Sequence, residues 1–200
     1  MKKVLMFIVM CAISMVIAQS ARAAGIGVYG TGGVGMMNWQ YNGTKGGSST
    51  DYFYGGGLVV DSNVARNELF GYRFTAGYEQ YVWTDPGSDA KSDPIHRFSM
   101  THTFGFGVAR TETVRFWVGP KIGLHYLYKH ESGYAIDAIG ADALLALGLN
   151  VNAGEVFTFF FDIGMGYMGV YNLKGSEVGN AFGADAKLGF LFRINDSYKG

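Results

Sequence analysis

The chain has 200 residues, of which 31 are Gly, 28 are Phe or Tyr, 3 are Pro and one is Cys. Hydrophobic residues make up 48% and charged residues 16%, against about a quarter charged in ordinary soluble domains, so glycine and aromatics have displaced the usual charged surface. This apolar content excludes a disordered chain, glycine without a three-residue period excludes a collagen-like one, and a formal net charge of zero without a basic cluster excludes a nucleic-acid binder.

Met1, Lys2 and Lys3 make a positive start, Val4 to Ala18 is an apolar run broken only by Ser14, and Ala21-Arg22-Ala23 offers small residues for cleavage. Residues 1–23 therefore read as a secretory signal peptide, and the run is too short for a spanning helix. Cleavage after Ala23 removes Cys11, the one cysteine, and leaves 13 basic against 16 acidic groups, a net charge of about −3. The expected mature domain is 24–200, without disulfides or thiol chemistry.

From Ile26 onward apolar and polar residues alternate with period two, the pattern of strands with one apolar face. In chain order the segments are Ile26 to Trp39, Tyr52 to Val64, Phe70 to Val82, Phe98 to Val108, Val114 to Tyr128, Ile139 to Val151, Phe157 to Tyr167 and Phe182 to Ile194. The fifth is the clearest: Val114, Phe116, Val118, Pro120, Ile122, Leu124, Tyr126 and Tyr128 share one parity, and Arg115, Trp117, Gly119, Lys121, Gly123 and His125 the other. The first two are diluted by glycine. Gln80 and His102 are polar exceptions on the apolar parity.

Connections alternate in length. Gln40 to Asp51, Thr84 to Pro94, Lys129 to Asp137 and Asn172 to Asn180 read as long polar loops, whereas Arg66 to Glu68, Arg110 to Thr113 and Asn152 to Glu155 read as tight turns. The expected fold is all-β, an eight-stranded antiparallel up-and-down barrel.

Charge placement decides which way such a barrel faces. Asp61, Arg73, Glu79, Arg97, Lys121, Asp142, Asp162, Asp185 and Lys187 all lie on the polar parity, and the apolar parity carries no charge within the segments. A soluble barrel shows charges to water from its outer face, so here the charge-free face meets lipid and the charged one lines the lumen. The nine luminal charges are expected to form an ion-pair network that closes the barrel, through Asp61 with Arg73, Glu79 with Arg97, Lys121 with Asp142 and Asp162 with Lys187. Glycine is concentrated on the same luminal parity, as a tightly curved wall requires, and leaves space around Tyr29, Phe53, Trp117 and Phe160.

Tyr and Trp gather at the long-loop ends, which predicts an aromatic girdle of Trp39, Tyr52, Tyr54, Trp83, Tyr126, Tyr128, Tyr167 and Tyr171. An even number of strands puts both termini on one side, expected to be periplasmic, with the long loops extracellular.

With this pattern in hand, the chain resembles the small eight-stranded outer-membrane barrels of Gram-negative bacteria, such as the OmpA transmembrane domain, OmpX and the neisserial opacity and surface proteins. In that group the last strand ends in an aromatic read by the barrel-assembly machinery, and Gly189, Phe190 and Phe192 look similar. Arg193 to Gly200 follow, so either the signal tolerates a short tail or the chain continues further.

The resemblance implies a structural or surface-interaction role in the cell outer membrane, reached by the Sec pathway. The partners it implies are outer-membrane lipids and lipopolysaccharide, the assembly machinery and an extracellular ligand at the loops, with the barrel a monomer. A narrow pore for small or hydrophobic molecules, as in OmpW-type barrels, is the alternative.

A lipid-modifying enzyme comes third. Lipid A deacylases use a His-x-Ser pair, and His130-Glu131-Ser132 is the one such spacing, in an expected loop with nothing converging on it. No catalytic residue is therefore assigned. His96, His102, His125 and His130 lack the spacing and acidic company of a metal site, so no metal or cofactor is expected.

Overall fold

The computed structural model describes residues 25–62, 69–84, 93–131, 134–173 and 177–193. The expected signal peptide 1–23, the turn Arg66 to Glu68, most of the loop Thr84 to Pro94, Ser132 and the tail after Arg193 lie outside the described residues. Eight strands, β1 (Gly25–Tyr41), β2 (Thr44–Ser62), β3 (Phe70–Trp83), β4 (Ile95–Arg110), β5 (Val114–Glu131), β6 (Tyr134–Ala153), β7 (Phe157–Asn172) and β8 (Glu177–Arg193), pair in sequence order. β1 closes the barrel by pairing antiparallel with β8, from Gly25↔Arg193 to Tyr41↔Glu177.

The alternation in the sequence becomes an alternation in exposure. Along β7, Phe159 is 52% exposed, Phe160 1%, Phe161 44%, Asp162 0% and Ile163 45%. Large apolar side chains cover the outside while carboxylates and ammonium groups are buried within, the reverse of a soluble barrel. A closed sheet leaves no edge strand unpaired, which the hydrocarbon of a bilayer demands.

Three of the four expected long loops are shorter than the sequence reading put them. Asn42 and Gly43, both with positive φ (51° and 75°), make a two-residue turn, and pairing runs from Met36↔Thr50 to Tyr41↔Thr44. Asn-Gly favours this turn because its twist matches that of the flanking strands. Likewise β5 and β6 pair through Lys129↔Ile136 to Glu131↔Tyr134, and β7 and β8 still pair at Tyr171↔Val178. Segments beyond the bilayer need no apolar face, so their polar composition imitates a loop. At the other end two of the three expected tight turns fall among the described residues and are present: Thr111 accepts from the Val114 amide through its hydroxyl (2.9 Å), and Gly154 has φ 65°.

The strands run from 14 to 20 residues. A tilted strand needs only about 9–11 to cross a bilayer. At roughly 3.3 Å per residue and a tilt near 40°, 20 residues rise roughly 50 Å, about twice the apolar band of an outer-membrane barrel. The surplus lies in hairpins that stand clear of the lipid.

Candidate functional site: a sealed lumen and an aromatic outer belt

All nine charges assigned to the lumen are buried inside the barrel. Toward the short turns, Arg73 of β3 reaches Asp61 of β2 (2.7 Å) and Asp162 of β7 (3.0 Å), and donates to the Asn150 side-chain oxygen (2.8 Å). Its guanidinium lies 4.0 Å from the Phe160 ring centroid and 5.5 Å from that of Trp117. Lys121 of β5 extends the chain by binding Asp162 (2.7 Å) and Asp185 (2.9 Å). Asp61, Arg73, Asp162, Lys121 and Asp185 therefore form one cluster of three carboxylates and two cations.

A second cluster lies nearer the long hairpins. Arg97 approaches Glu79 at 3.2 Å without hydrogen-bond alignment, so that contact is mainly Coulombic, and it lies 3.4 Å from Asp142. Ser99 donates to Glu79 (2.7 Å), and His125 bonds Asp142 through Nε2. Arg97 also stacks on Phe53, 4.2 Å from its centroid.

Two of the expected pairings are not formed. Lys121 goes to Asp162 and Asp185 rather than to Asp142, which is held by His125 and Arg97. Lys187 opposes Asp162 in register, yet its ammonium donates to Thr75 (3.2 Å) and Thr101 (3.1 Å) and faces the Tyr29 ring at 5.5 Å. In a lumen this narrow a long side chain reaches strands across the barrel as easily as its neighbour, so adjacency does not dictate the partner. Lys187 stands between two clusters that each carry one excess negative charge when His125 is neutral, and it is placed to offset both.

The sequence reading missed what lies above the charges. Phe53, Tyr81, Ile95, Leu127, Ile136 and Ala138 form a buried apolar plug across the lumen at the long-hairpin end, with Trp83, Met168 and Val170 packed against it. Ile136 belongs to a stretch expected as loop, and Ile95 and Leu127 lie on the parity that is charged farther down.

Trp39 and Trp83, expected in the outer girdle, also belong to this inner mouth. Their rings meet edge to face at 5.9 Å, and Trp39 donates to Ser49 (3.0 Å), which donates to Asp51 (2.6 Å). Trp83 follows the luminal parity of Tyr81, and a register shift between Asn38 and Gln40 interrupts β1 at Trp39. The signal was present in the sequence: Trp83 is an odd neighbour of Val82, not a continuation of the apolar face.

The remaining girdle residues do face outward. Tyr54, Tyr128, Tyr167 and Tyr171 are exposed, and Tyr52 and Tyr126 partly so. Tyr54 donates to Gln80 (2.6 Å) and Tyr126 to Asp137 (3.0 Å). On β8, Phe190 and Phe192 pack outside edge to face at 5.7 Å, while Gly189 lies inside against the Phe160 ring. His130 is exposed, and among the described residues no cluster of His, Cys, Asp and Glu could hold a metal.

Glycine shapes the packing of the lumen. A side chain at Gly33 would collide with the Phe53 ring, at Gly77 with the Tyr29 hydroxyl, at Gly148 with Trp117 and at Gly189 with Phe160. The space that glycine opens is thus filled by four rings. Three cavities lined by the described luminal residues measure about 20, 10 and 10 Å³, each room for a water molecule or two and no more.

No protein-family model and no curated protein matches the chain. Among solved structures it is similar to the outer membrane protein OprG from Pseudomonas aeruginosa, at 11% identity over 88% of this chain and 97% of that one, with a TM-score of 0.53. Ail, the attachment invasion locus protein of Yersinia pestis, matches at 12% identity over 87% and 99% of the two chains with a TM-score of 0.40. Neisserial surface protein A matches at 10% over 80% and 96% with a TM-score of 0.34. At such identities the likeness bears on fold alone, and together with the inverted burial it shows that this chain folds as a small eight-stranded outer-membrane β-barrel.

Proposed function

We propose that this protein is a surface-interaction barrel of the outer membrane, a rigid and sealed wall that holds polar hairpins clear of the lipid for adhesion or envelope integrity. The observation that carries this reading is the filling of the described lumen by an apolar plug and two ion-pair clusters, with the three cavities among them measuring about 20, 10 and 10 Å³. With the lumen filled among the described residues, the features left to act on the surroundings are the outer surface and the protruding ends. The short turns at one end and the long hairpins at the other support an orientation with periplasmic termini and extracellular hairpins, after Sec export and removal of residues 1–23. The narrow-pore reading requires Phe53, Tyr81 and Leu127 to leave the lumen.

The test is adhesion of cells displaying the wild type to epithelial monolayers and to immobilised matrix protein. It is compared with a variant whose β1–β2 and β5–β6 hairpins are cut back to short turns at the lipid boundary. The reading predicts loss of adhesion with the barrel still heat-modifiable on gels, and unchanged adhesion on every surface would contradict it.

A further inference from the structure

Of the four cations in the luminal network, Lys187 alone has no carboxylate partner among the described residues, whereas Arg73, Arg97 and Lys121 each have one or more. Its ammonium group carries three N–H donors. Two of them go to the hydroxyls of Thr75 (3.2 Å) and Thr101 (3.1 Å). The residue is buried, so the third donor is held away from bulk water.

Glu79 has the complementary need. Its Oε1 accepts from Ser99 at 2.7 Å, whereas Oε2 receives no hydrogen bond from the protein although the residue is only 2% exposed. Arg97 Nε faces that oxygen at 3.2 Å without the alignment of a hydrogen bond. Native structures nearly always supply a partner to a polar atom buried this deeply.

Both groups line one cavity of about 10 Å³ between the two clusters. Its charged wall consists of Glu79, Asp142 and Asp185 against Arg97, Lys121 and Lys187. Three charges of each sign leave no excess to hold an ion, cation or anion. The volume admits one water-sized molecule and nothing larger. A neutral occupant of that size that both accepts and donates is water.

We propose that this cavity is a binding site for one ordered water molecule, which accepts the third N–H of Lys187, donates to Glu79 Oε2 and donates its second hydrogen to Asp185. Three bonds are ordinary for a buried water. Glu79 belongs to the cluster nearer the long hairpins and Asp185 to the one nearer the short turns, so the shared water joins the two clusters and Lys187 into one hydrogen-bonded unit. The site does not depend on what the hairpins bind.

The larger cavity, beneath the plug, provides the contrast. At about 20 Å³ it has more room, yet Met37, Phe53, Leu127, Met168 and Val170 contribute much of its wall. The carboxylates at its edge are already engaged, Asp51 by Ser49 and Tyr81 and Asp142 by His125 and Arg97. A cavity of that kind stays dry. Hydration of this lumen thus follows unmet hydrogen bonds and not volume.

The experiment is a crystal structure of the purified protein at a resolution that shows ordered water, from native crystals and from crystals soaked in rubidium bromide. One density peak is expected in the smaller cavity, within about 2.7–3.2 Å of Lys187 Nζ, Glu79 Oε2 and an Asp185 oxygen. The larger cavity should be without density, and neither cavity should give an anomalous signal from rubidium or bromide. Gly123 also lines the smaller cavity, and the methyl group of Gly123→Ala would stand 2.9 Å from His125 Nε2 and 3.0 Å from Asp142 Oδ2, so the water peak should be lost in that variant. Gly35→Ala, on the wall of the larger cavity, should retain it. A rubidium or bromide peak, an absent peak in the wild type, a protein donor bonded to Glu79 Oε2 in place of water, or a peak that persists in Gly123→Ala would each overturn the proposal.

Discussion

The guanidinium carbon of Arg73 lies 4.0 Å from the centroid of the Phe160 ring while the same group binds Asp61 at 2.7 Å and Asp162 at 3.0 Å. One side chain thus ties β2, β3 and β7 together across the lumen and is stacked in place by an aromatic residue that owes its room to Gly189. A buried cation with two carboxylates is costly to expose and costly to truncate. Arg73→Met leaves Asp61 without its described partner and should destabilise the barrel by about 3–5 kcal/mol. Adding Asp61→Asn removes the orphaned charge and should recover part of that loss. Urea unfolding of the refolded protein in micelles measures both, and equal midpoints for Arg73→Met and wild type would refute the role of this cluster.

Glycine at the ring niches is a packing requirement. Gly148→Ala drives a methyl group into the Trp117 ring and should cost about 1–3 kcal/mol. Gly35→Ala, whose nearest neighbours stand at 3.5 Å or beyond, should fall within about 0.5 kcal/mol of wild type. Pairing Gly148→Ala with Trp117→Leu should relieve the clash, so the double variant should lose less than the two single losses summed. Thermal unfolding of the four proteins distinguishes niche packing from a general preference for glycine.

The β1–β2 hairpin depends on two residues with positive φ. Gly43→Val, at φ 75°, is strained there by about 1 kcal/mol or more. The strain should loosen the tip without reaching the barrel. Hydrogen exchange should then accelerate for the paired amides of Met36 to Tyr41 and Thr44 to Thr50 and stay unchanged for β5 to β8. Equal acceleration throughout would mean that the hairpin and the barrel unfold together.

Parity carried most of the fold into the sequence. Phe159, Phe160 and Phe161 are chemically identical, yet the charges at Asp162 and Lys187 establish which of them face inward, and the eight segments, their order and the inverted faces follow. The strand ends were not legible, because parity speaks only where one face must be apolar. Lys45 to Thr50, Lys129 to Glu131 and Tyr134 to Asp137 continue as paired strands where the polar composition reads as loop, although the Asn42-Gly43 dipeptide marked the first turn.

The site was legible in membership and not in wiring. Asp61 with Arg73 and Glu79 with Arg97 are close as neighbouring strands suggest, whereas Lys121 and Lys187 are long enough to choose among partners across the lumen. The apolar plug of Phe53, Ile95, Leu127 and Ile136 was hidden because inward-facing apolar residues at one end of a barrel look, in a sequence, like a break in its pattern.

Ionic conductance of the purified, refolded protein in a planar lipid bilayer tests the sealed lumen most directly. With the plug of Phe53, Tyr81, Leu127 and Ile136 above and the Arg73 and Arg97 clusters below, the wild type should insert without current steps, and conductance should appear only when plug and clusters are cut back together, as in Phe53→Ala with Leu127→Ser and Arg97→Ser. Steady unitary conductance from the wild type would contradict the account.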